Sequence, residues 1–149
     1  MALSRLSNLY RQVIMDHAKH PHNNHSLAGA DHEIELRNPT CGDVLTVQLK
    51  IIDDKITDVG YTGSGCTISQ ASASMMTEQI KGHTIKEVEA MVLAFSDMVT
   101  GKDVANLPQL LGEAAVLQSV SQFPARIKCA TLAWKAVYQA IEESERNDE

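Results

Sequence analysis

Three cysteines and one aspartate are the residues of this chain whose types suit metal binding or sulfur chemistry. The cysteines are Cys41, Cys66 and Cys129, and Asp43 follows the first of them by two residues. Three cysteines cannot all pair within one chain, whereas reduced thiols serve as metal ligands and nucleophiles. We therefore expect metal binding or catalysis rather than a disulfide framework.

The segments around the first two cysteines favour accessible thiols. Cys41 lies between two predicted strands, where Pro39 and Gly42 favour a tight loop. Gly42 would let the backbone turn the Asp43 carboxylate toward an ion held by that thiol, although aspartate beside glycine is also a common turn former. Cys66 lies where a strand gives way to a helix, and the unpaired N–H groups there favour a thiolate.

Cys129 lies on the last predicted helix, so only tertiary packing can bring it to the other two thiols. If they converge, three thiolates and one carboxylate would complete a tetrahedral zinc site. The alternative is that each cysteine is a small buried hydrophobic residue, the usual role of an isolated cysteine. The spacing alone leaves both possibilities open.

The elements that must position these residues follow from hydrophobic periodicity. The first half predicts a helix ending near His20, a loop, and three strands around residues 33–36, 44–52 and 56–61, the last two joined by a turn at Asp53 and Asp54. An antiparallel meander is the simplest arrangement of these strands.

The second half is predicted to be helical. Helices are expected over residues 67–81 and from a capping box at Thr84 and Glu87 to about Gly101. One or two brief helices follow within 102–123, and a closing helix runs from Pro124 to Ile141. We expect a single α+β domain over residues 1–149, an antiparallel three-stranded sheet packed against a set of helices, with a frayed polar tail at about 142–149.

Composition narrows the function. The formal net charge is −6 without a block of Lys and Arg, which argues against nucleic-acid binding. No apolar run approaches the roughly 20 residues that span a bilayer, and the N-terminus lacks a signal-peptide core. We expect a cytoplasmic protein with neither membrane nor nucleic-acid partners.

Three segments together resemble the motif blocks of the IscU/SufU family, whose fold is like that of the NifU N-terminal domain. They are NPTCGD at 38–43, GSGCTIS at 63–69 and RIKC at 126–129. IscU-type scaffolds carry a histidine just before the third cysteine, where this chain has Lys128. Their connection between the second and third cysteines is also shorter than the one in this chain, which includes residues 101–123. Both departures resemble the SufU-type members.

The resemblance implies a zinc-dependent sulfurtransferase of iron–sulfur cluster biogenesis. Such proteins accept persulfide sulfur from a SufS-type, pyridoxal-phosphate-dependent cysteine desulfurase, and SufBCD-type assembly machinery lies downstream. By motif correspondence Cys41 is the acceptor thiol, and the zinc ligands are Cys41, Asp43, Cys66 and Cys129. In that family a histidine of the desulfurase takes over one zinc position, which releases the acceptor.

Two further assignments remain open. Arg126 stands one helical turn before Cys129 and would pair with Asp43 or steady a persulfide anion, unless it is only a solvated helical arginine. The same four ligands would also suit an iron–sulfur cluster on an IscU-type scaffold, or a purely structural zinc site. Five histidines between residues 17 and 32 have no fixed spacing, so we do not expect a second metal site there.

Overall fold

The computed structural model of the protein describes the backbone of residues 2–39 and 42–147 and the side chains of residues 11–39 and 42–145. The predicted α+β class is confirmed. In chain order the elements are α1 (Ala2–Lys19), β1 (His32–Asn38), β2 (Asp43–Ile52), β3 (Lys55–Ser64), α2 (Thr67–Ile80), α3 (Ile85–Val99), α4 (Leu107–Leu111), a 3-10 segment (Gly112–Gln122) and α5 (Pro124–Asn147).

The strands form one antiparallel sheet in the order β1-β2-β3, as the meander prediction expects. Val47 in the central strand pairs with Ile34 on β1 and Tyr61 on β3, and all three side chains are buried. Every second residue of β2 from Asp43 to Leu49 is likewise buried. Helix α5 packs against β1 and β2, and α2 packs against β3.

The predicted turn between the last two strands is confirmed. Asp53 and Asp54 have φ of +53° and +62°, and β2 and β3 pair directly on either side of them, from Ile52 and Lys55. Two positive φ values in a two-residue connection suit the right-handed twist of a hairpin. Aspartate tolerates this conformation better than most residues, although Asn-Gly is the preferred pair.

The predicted capping box at the start of α3 is also present. The Glu87 N–H donates to Thr84 Oγ1 at 3.2 Å, and the Thr84 N–H donates to Glu87 Oε1 at 3.0 Å. The backbone and hydroxyl of Thr84 thereby lower the pKa of Glu87.

A hydrogen-bonded contact in the core sets the spacing between α2 and α5. Ser72 on α2 donates from Oγ to the carbonyl oxygen of Ala130 at 2.5 Å and accepts from the indole N–H of Trp134 at 3.1 Å. Trp134 is 1% exposed and stacks on Phe95 of α3 with ring centroids 4.4 Å apart. Because α2 begins just after Cys66 and α5 carries Cys129, this contact helps to place the two thiols.

The last helix is longer than the sequence predicts and includes much of the tail that we expect to fray from about Glu142. Helix α5 continues six residues beyond Ile141, and Ser144 on this extension is only 7% exposed. Ser144 lines the same surface cavity as Asp31 and Asp53, so this turn of α5 lies at the end of the sheet. A polar composition does not reveal such packing. Among the described helices, none is long and apolar enough to cross a membrane.

Candidate metal centre

Three elements that are distant in sequence meet at one point. Asp43 is the first residue of β2, Cys66 immediately precedes α2, and Cys129 lies in the second turn of α5. The Cys66 and Cys129 sulfurs and a carboxylate oxygen of Asp43 all lie within 4.8 Å of one another. Asp43 is 1% exposed and Cys129 is fully buried, whereas Cys66 is half-buried.

Glycines allow the chain to approach so closely. Gly63, at the end of β3, has a φ of +135°, and a side chain there would collide with the carbonyl oxygen of Val44. A Cβ on Gly65 would lie 2.5 Å from Asp43 Oδ1, so the Gly65 backbone packs directly against the carboxylate. Gly42 has a φ of +73°, and its N–H donates to the carbonyl oxygen of Asn38 at 2.8 Å. This last bond closes the hairpin that leads into Asp43.

The buried Asp43 carboxylate has hydrogen-bond donors on both oxygens. Oδ1 accepts from the Cys66 N–H at 2.9 Å and lies 3.2 Å from the Ser69 hydroxyl, whose one proton is shared with the Cys66 carbonyl oxygen at 3.0 Å. Oδ2 accepts from Asn38 Nδ2 at 3.3 Å, and the same nitrogen lies 3.7 Å from Cys129 Sγ. An ionised carboxylate needs such donors when it is buried, because burial removes its water.

Cys66 occupies a position that favours an anion. It is the N-cap residue of α2, with extended backbone angles, and its carbonyl oxygen accepts from the Gln70 N–H at 3.0 Å. The free N–H groups of the first turn and the helix dipole place partial positive charge near its sulfur. Tyr61 of β3 lies over the same turn of α2, and its hydroxyl donates to the Gln70 carbonyl oxygen at 3.4 Å. Burial raises the pKa of this hydroxyl to about 12.

The donor set fits zinc. Two thiols and one carboxylate are ligands that zinc accepts, and tetrahedral ligands at normal bond lengths stand about 3.8 Å apart. The separations of up to 4.8 Å between the three donor atoms would close to that value with movements of about 1 Å or less. In the part of the chain that the structure describes, this is the one group of three or more such residues with metal-binding geometry.

The other residues that the sequence predicts for the site do not belong to this group of three donors. Cys41 lies outside the described residues, so its assignment as acceptor and ligand stays a prediction. Arg126 is exposed in the first turn of α5, one turn before Cys129, and Lys128 is also exposed. Asn38, Ser69 and Gly65, which surround the Asp43 carboxylate, were not singled out from the sequence, although each lies within or beside a motif segment.

The histidine-rich segment shows another arrangement. The His17 ring lies in the interior, with Nδ1 2.8 Å from Ser74 Oγ and Nε2 2.8 Å from Glu113 Oε2. Ser74 also accepts from the His22 N–H at 2.8 Å. These contacts join α1 to α2 and to the 3-10 segment, which is a structural role.

Known proteins resemble this chain over nearly its whole length. The family model described as NifU-like N terminal domain matches residues 9–130. The iron-sulfur cluster assembly scaffold protein IscU of Streptococcus pyogenes is 47% identical over 97% of this chain and 89% of its own length. The zinc-dependent sulfurtransferase SufU of Bacillus subtilis is 46% identical over 95% of each chain.

A solved structure agrees with these sequence matches. The crystal structure of FiSufU from Fervidobacterium islandicum superposes with a TM-score of 0.82 at 36% identity, over 87% of this chain and 93% of that one. A crystal structure described only as that of a hypothetical protein gives a TM-score of 0.85 at 46% identity, over 91% of this chain and 98% of that one. The chain belongs to the IscU/SufU family of iron–sulfur cluster assembly proteins, which is built on the NifU-like N-terminal domain.

Proposed function

We propose that this chain is a zinc-dependent sulfurtransferase that accepts sulfur from a SufS-type cysteine desulfurase and supplies SufBCD-type assembly machinery in the cytoplasm. The observation that supports this proposal is the convergence of Asp43, Cys66 and Cys129 donor atoms within 4.8 Å. When bound, zinc supplies a positive charge that keeps the coordinating thiols deprotonated.

Cys41 is the proposed fourth ligand and the sulfur acceptor. It is two residues from Asp43, and a chain of that length spans at most about 7 Å, so the two residues can serve one ion. Pro39 and Gly42, which flank residues 40–41, are both exposed. The exposure of these two neighbours supports the choice of Cys41 as the thiol that meets a partner protein, whereas Cys129 is buried.

The proposed transfer is a thiol–persulfide exchange without net oxidation. The Cys41 thiolate attacks the terminal sulfur of the persulfide on the desulfurase. A new S–S bond forms at Cys41, the S–S bond of the donor breaks, and the donor cysteine leaves as a thiolate. Cys41 would hold zinc together with Asp43, Cys66 and Cys129 in the resting protein, and a histidine of the partner is the proposed ligand that would take its place when the thiolate reacts. Arg126, exposed near the site, would attract the persulfide anion.

An iron–sulfur cluster scaffold is the second candidate, supported by the 47% identity to a protein named IscU. Thiolate ligands suit a cluster as well as zinc, so the ligand set does not separate the two functions. Lys128 favours the carrier function. It stands immediately before Cys129, at the position where scaffold-type members of the family have a histidine that could bind metal. A protonated lysine has no lone pair for a metal, so it cannot take the place of that histidine.

The experiment adds purified protein to a SufS-type desulfurase with excess cysteine and measures alanine, the product that forms once per sulfur abstracted. The wild-type protein should raise turnover many-fold, and Cys41→Ala should abolish the increase. Mass spectrometry should find one added sulfur atom on Cys41. The control is Ser119→Ala, which removes a hydroxyl of the 3-10 segment that donates to the carbonyl oxygen of Val116 in its own turn.

Stimulation by Cys41→Ala equal to that of the wild type would exclude the carrier function. Metal analysis of aerobically purified protein should find about one zinc per chain. A brown protein with cluster absorbance would instead favour the scaffold.

A further inference from the structure

Asn38 lies between two of the candidate ligands. It is the last residue of β1, pairs with Asp43 across the hairpin, and is 4% exposed. Its Nδ2 is 3.3 Å from Asp43 Oδ2 and 3.7 Å from Cys129 Sγ, which is within hydrogen-bond range for a sulfur acceptor. Both neighbours are acceptors when ionised, so this face of the amide must present its NH₂ group rather than its oxygen.

The two oxygens of Asp43 have different partners. Oδ1 accepts from the Cys66 N–H at 2.9 Å, and it competes with the Cys66 carbonyl oxygen for the one proton of the Ser69 hydroxyl, at 3.2 Å and 3.0 Å. Oδ2 accepts from Asn38, whose NH₂ group has a second proton for the Cys129 sulfur. Among the described residues, Asn38 is therefore the side chain that links the Asp43 carboxylate to Cys129.

We propose that Asn38 is a positioning residue that aligns Asp43 Oδ2 and Cys129 Sγ as adjacent metal ligands. This inference rests on the proposed zinc site. The two thiolates and one carboxylate of Cys66, Cys129 and Asp43 already exceed the charge of a divalent ion. The amide N–H groups of Asn38 stabilise two of these three donors without adding a charge.

A substitution that keeps the shape of the Asn38 side chain but removes its NH₂ donor tests whether the hydrogen bonds matter. Asn38→Asp replaces the NH₂ group with an oxygen of nearly the same size, which repels both ligands. Asn38→Ala removes the amide without adding charge. The matched control is Asn24→Asp, which makes the same chemical change at an exposed residue in the loop between α1 and β1.

The experiment measures zinc affinity by competition with a chromogenic chelator and records the visible spectrum of the protein saturated with Co²⁺. Loss of an outer hydrogen bond to a metal ligand typically lowers affinity by roughly 10–100-fold, and we expect such a loss for Asn38→Ala and a larger one for Asn38→Asp. The sulfur-to-cobalt charge-transfer band should shift in both variants. Asn24→Asp should match the wild type in affinity and spectrum.

The outcomes separate this inference from the function on which it rests. Wild-type protein that binds no zinc would overturn the proposed function and this inference together. Normal zinc binding by the wild type and by both Asn38 variants would overturn this inference alone. A lower affinity with an unchanged cobalt spectrum would mean that Asn38 only stabilises the fold, which also rejects the positioning role.

Discussion

Gly65→Ala should disturb the candidate metal site without altering any ligand. The φ of Gly65 lies outside the left-handed region, so alanine can adopt its backbone. The new Cβ would meet the Ser69 hydroxyl oxygen and would lie 2.5 Å from Asp43 Oδ1, whereas ordinary contact begins at 3.4 Å. The hydroxyl can rotate away, but the buried carboxylate must shift by about 0.9 Å. Metal–ligand distances tolerate only about 0.2 Å. The substitution should therefore detach Asp43 from the metal.

The size of the effect follows from the lost ligand. A loss of zinc affinity of at least roughly 10–100-fold corresponds to about 1.4–2.8 kcal/mol. For a chain of this size that energy lowers the melting temperature of the zinc-loaded protein by roughly 3–11 °C. Competition with a chromogenic chelator measures the affinity, and thermal melts with and without zinc measure the stability.

The control for this substitution is Ser64→Ala, which changes the exposed preceding residue. It should leave both quantities unchanged. The steric reasoning is refuted if Gly65→Ala binds zinc as tightly as the wild type. It is also refuted if the apoprotein loses as much stability as the zinc-loaded form, because the damage would then be to the fold.

Three further predictions concern stability. Removing zinc should lower the melting temperature by roughly 8–16 °C, because zinc at a thousandfold excess over its Kd stabilises the folded protein by about 4.1 kcal/mol. An unchanged melting temperature would mean that the metal does not stabilise the fold. A hydrogen bond with Glu145 raises the pKa of Glu89 above its usual 4.5. The stability that protonated Glu89 contributes is complete below pH 4.5 and is lost as the pH rises through the raised pKa. Glutamine stays uncharged at every pH, so Glu89→Gln should have a higher melting temperature than the wild type at about pH 7 and the same melting temperature at about pH 4. Replacing Asp53 and Asp54 by Asn-Gly should raise the urea midpoint by an amount equivalent to about 1 kcal/mol, because both positions have positive φ; a lower midpoint would contradict this.

Most of the fold could be predicted because its signals are local. Alternation identified the strands, and the pair Asp53 and Asp54 marked the hairpin turn. The capping box at Thr84 followed from residue types three positions apart. The end of α5 was placed too early because the packing of Ser144 against the sheet end is a tertiary contact that periodicity does not contain.

The candidate site was predictable in part. The motif segments identified Asp43, Cys66 and Cys129, but their convergence depends on how α5 packs against the sheet. The roles of Asn38 and Ser69 could not be predicted, because side-chain hydrogen bonds across elements depend on distances of a few ångströms. Ser69 did carry one usable signal, since a serine in a helix often donates to the carbonyl oxygen three residues earlier, as Ser69 can to Cys66.

The Ser72 hydroxyl has a consequence for exchange at the metal centre. It bonds α2 to α5 through Ala130 and Trp134, contacts that contain no metal ligand. The separation of the two helices is thus maintained by the protein interior, and Cys66 and Cys129 should keep their relative positions when coordination is interrupted. If the chain is the carrier proposed above, the release of one ligand in each cycle needs only a local movement, and zinc should rebind at the rate of ion arrival rather than at the rate of refolding.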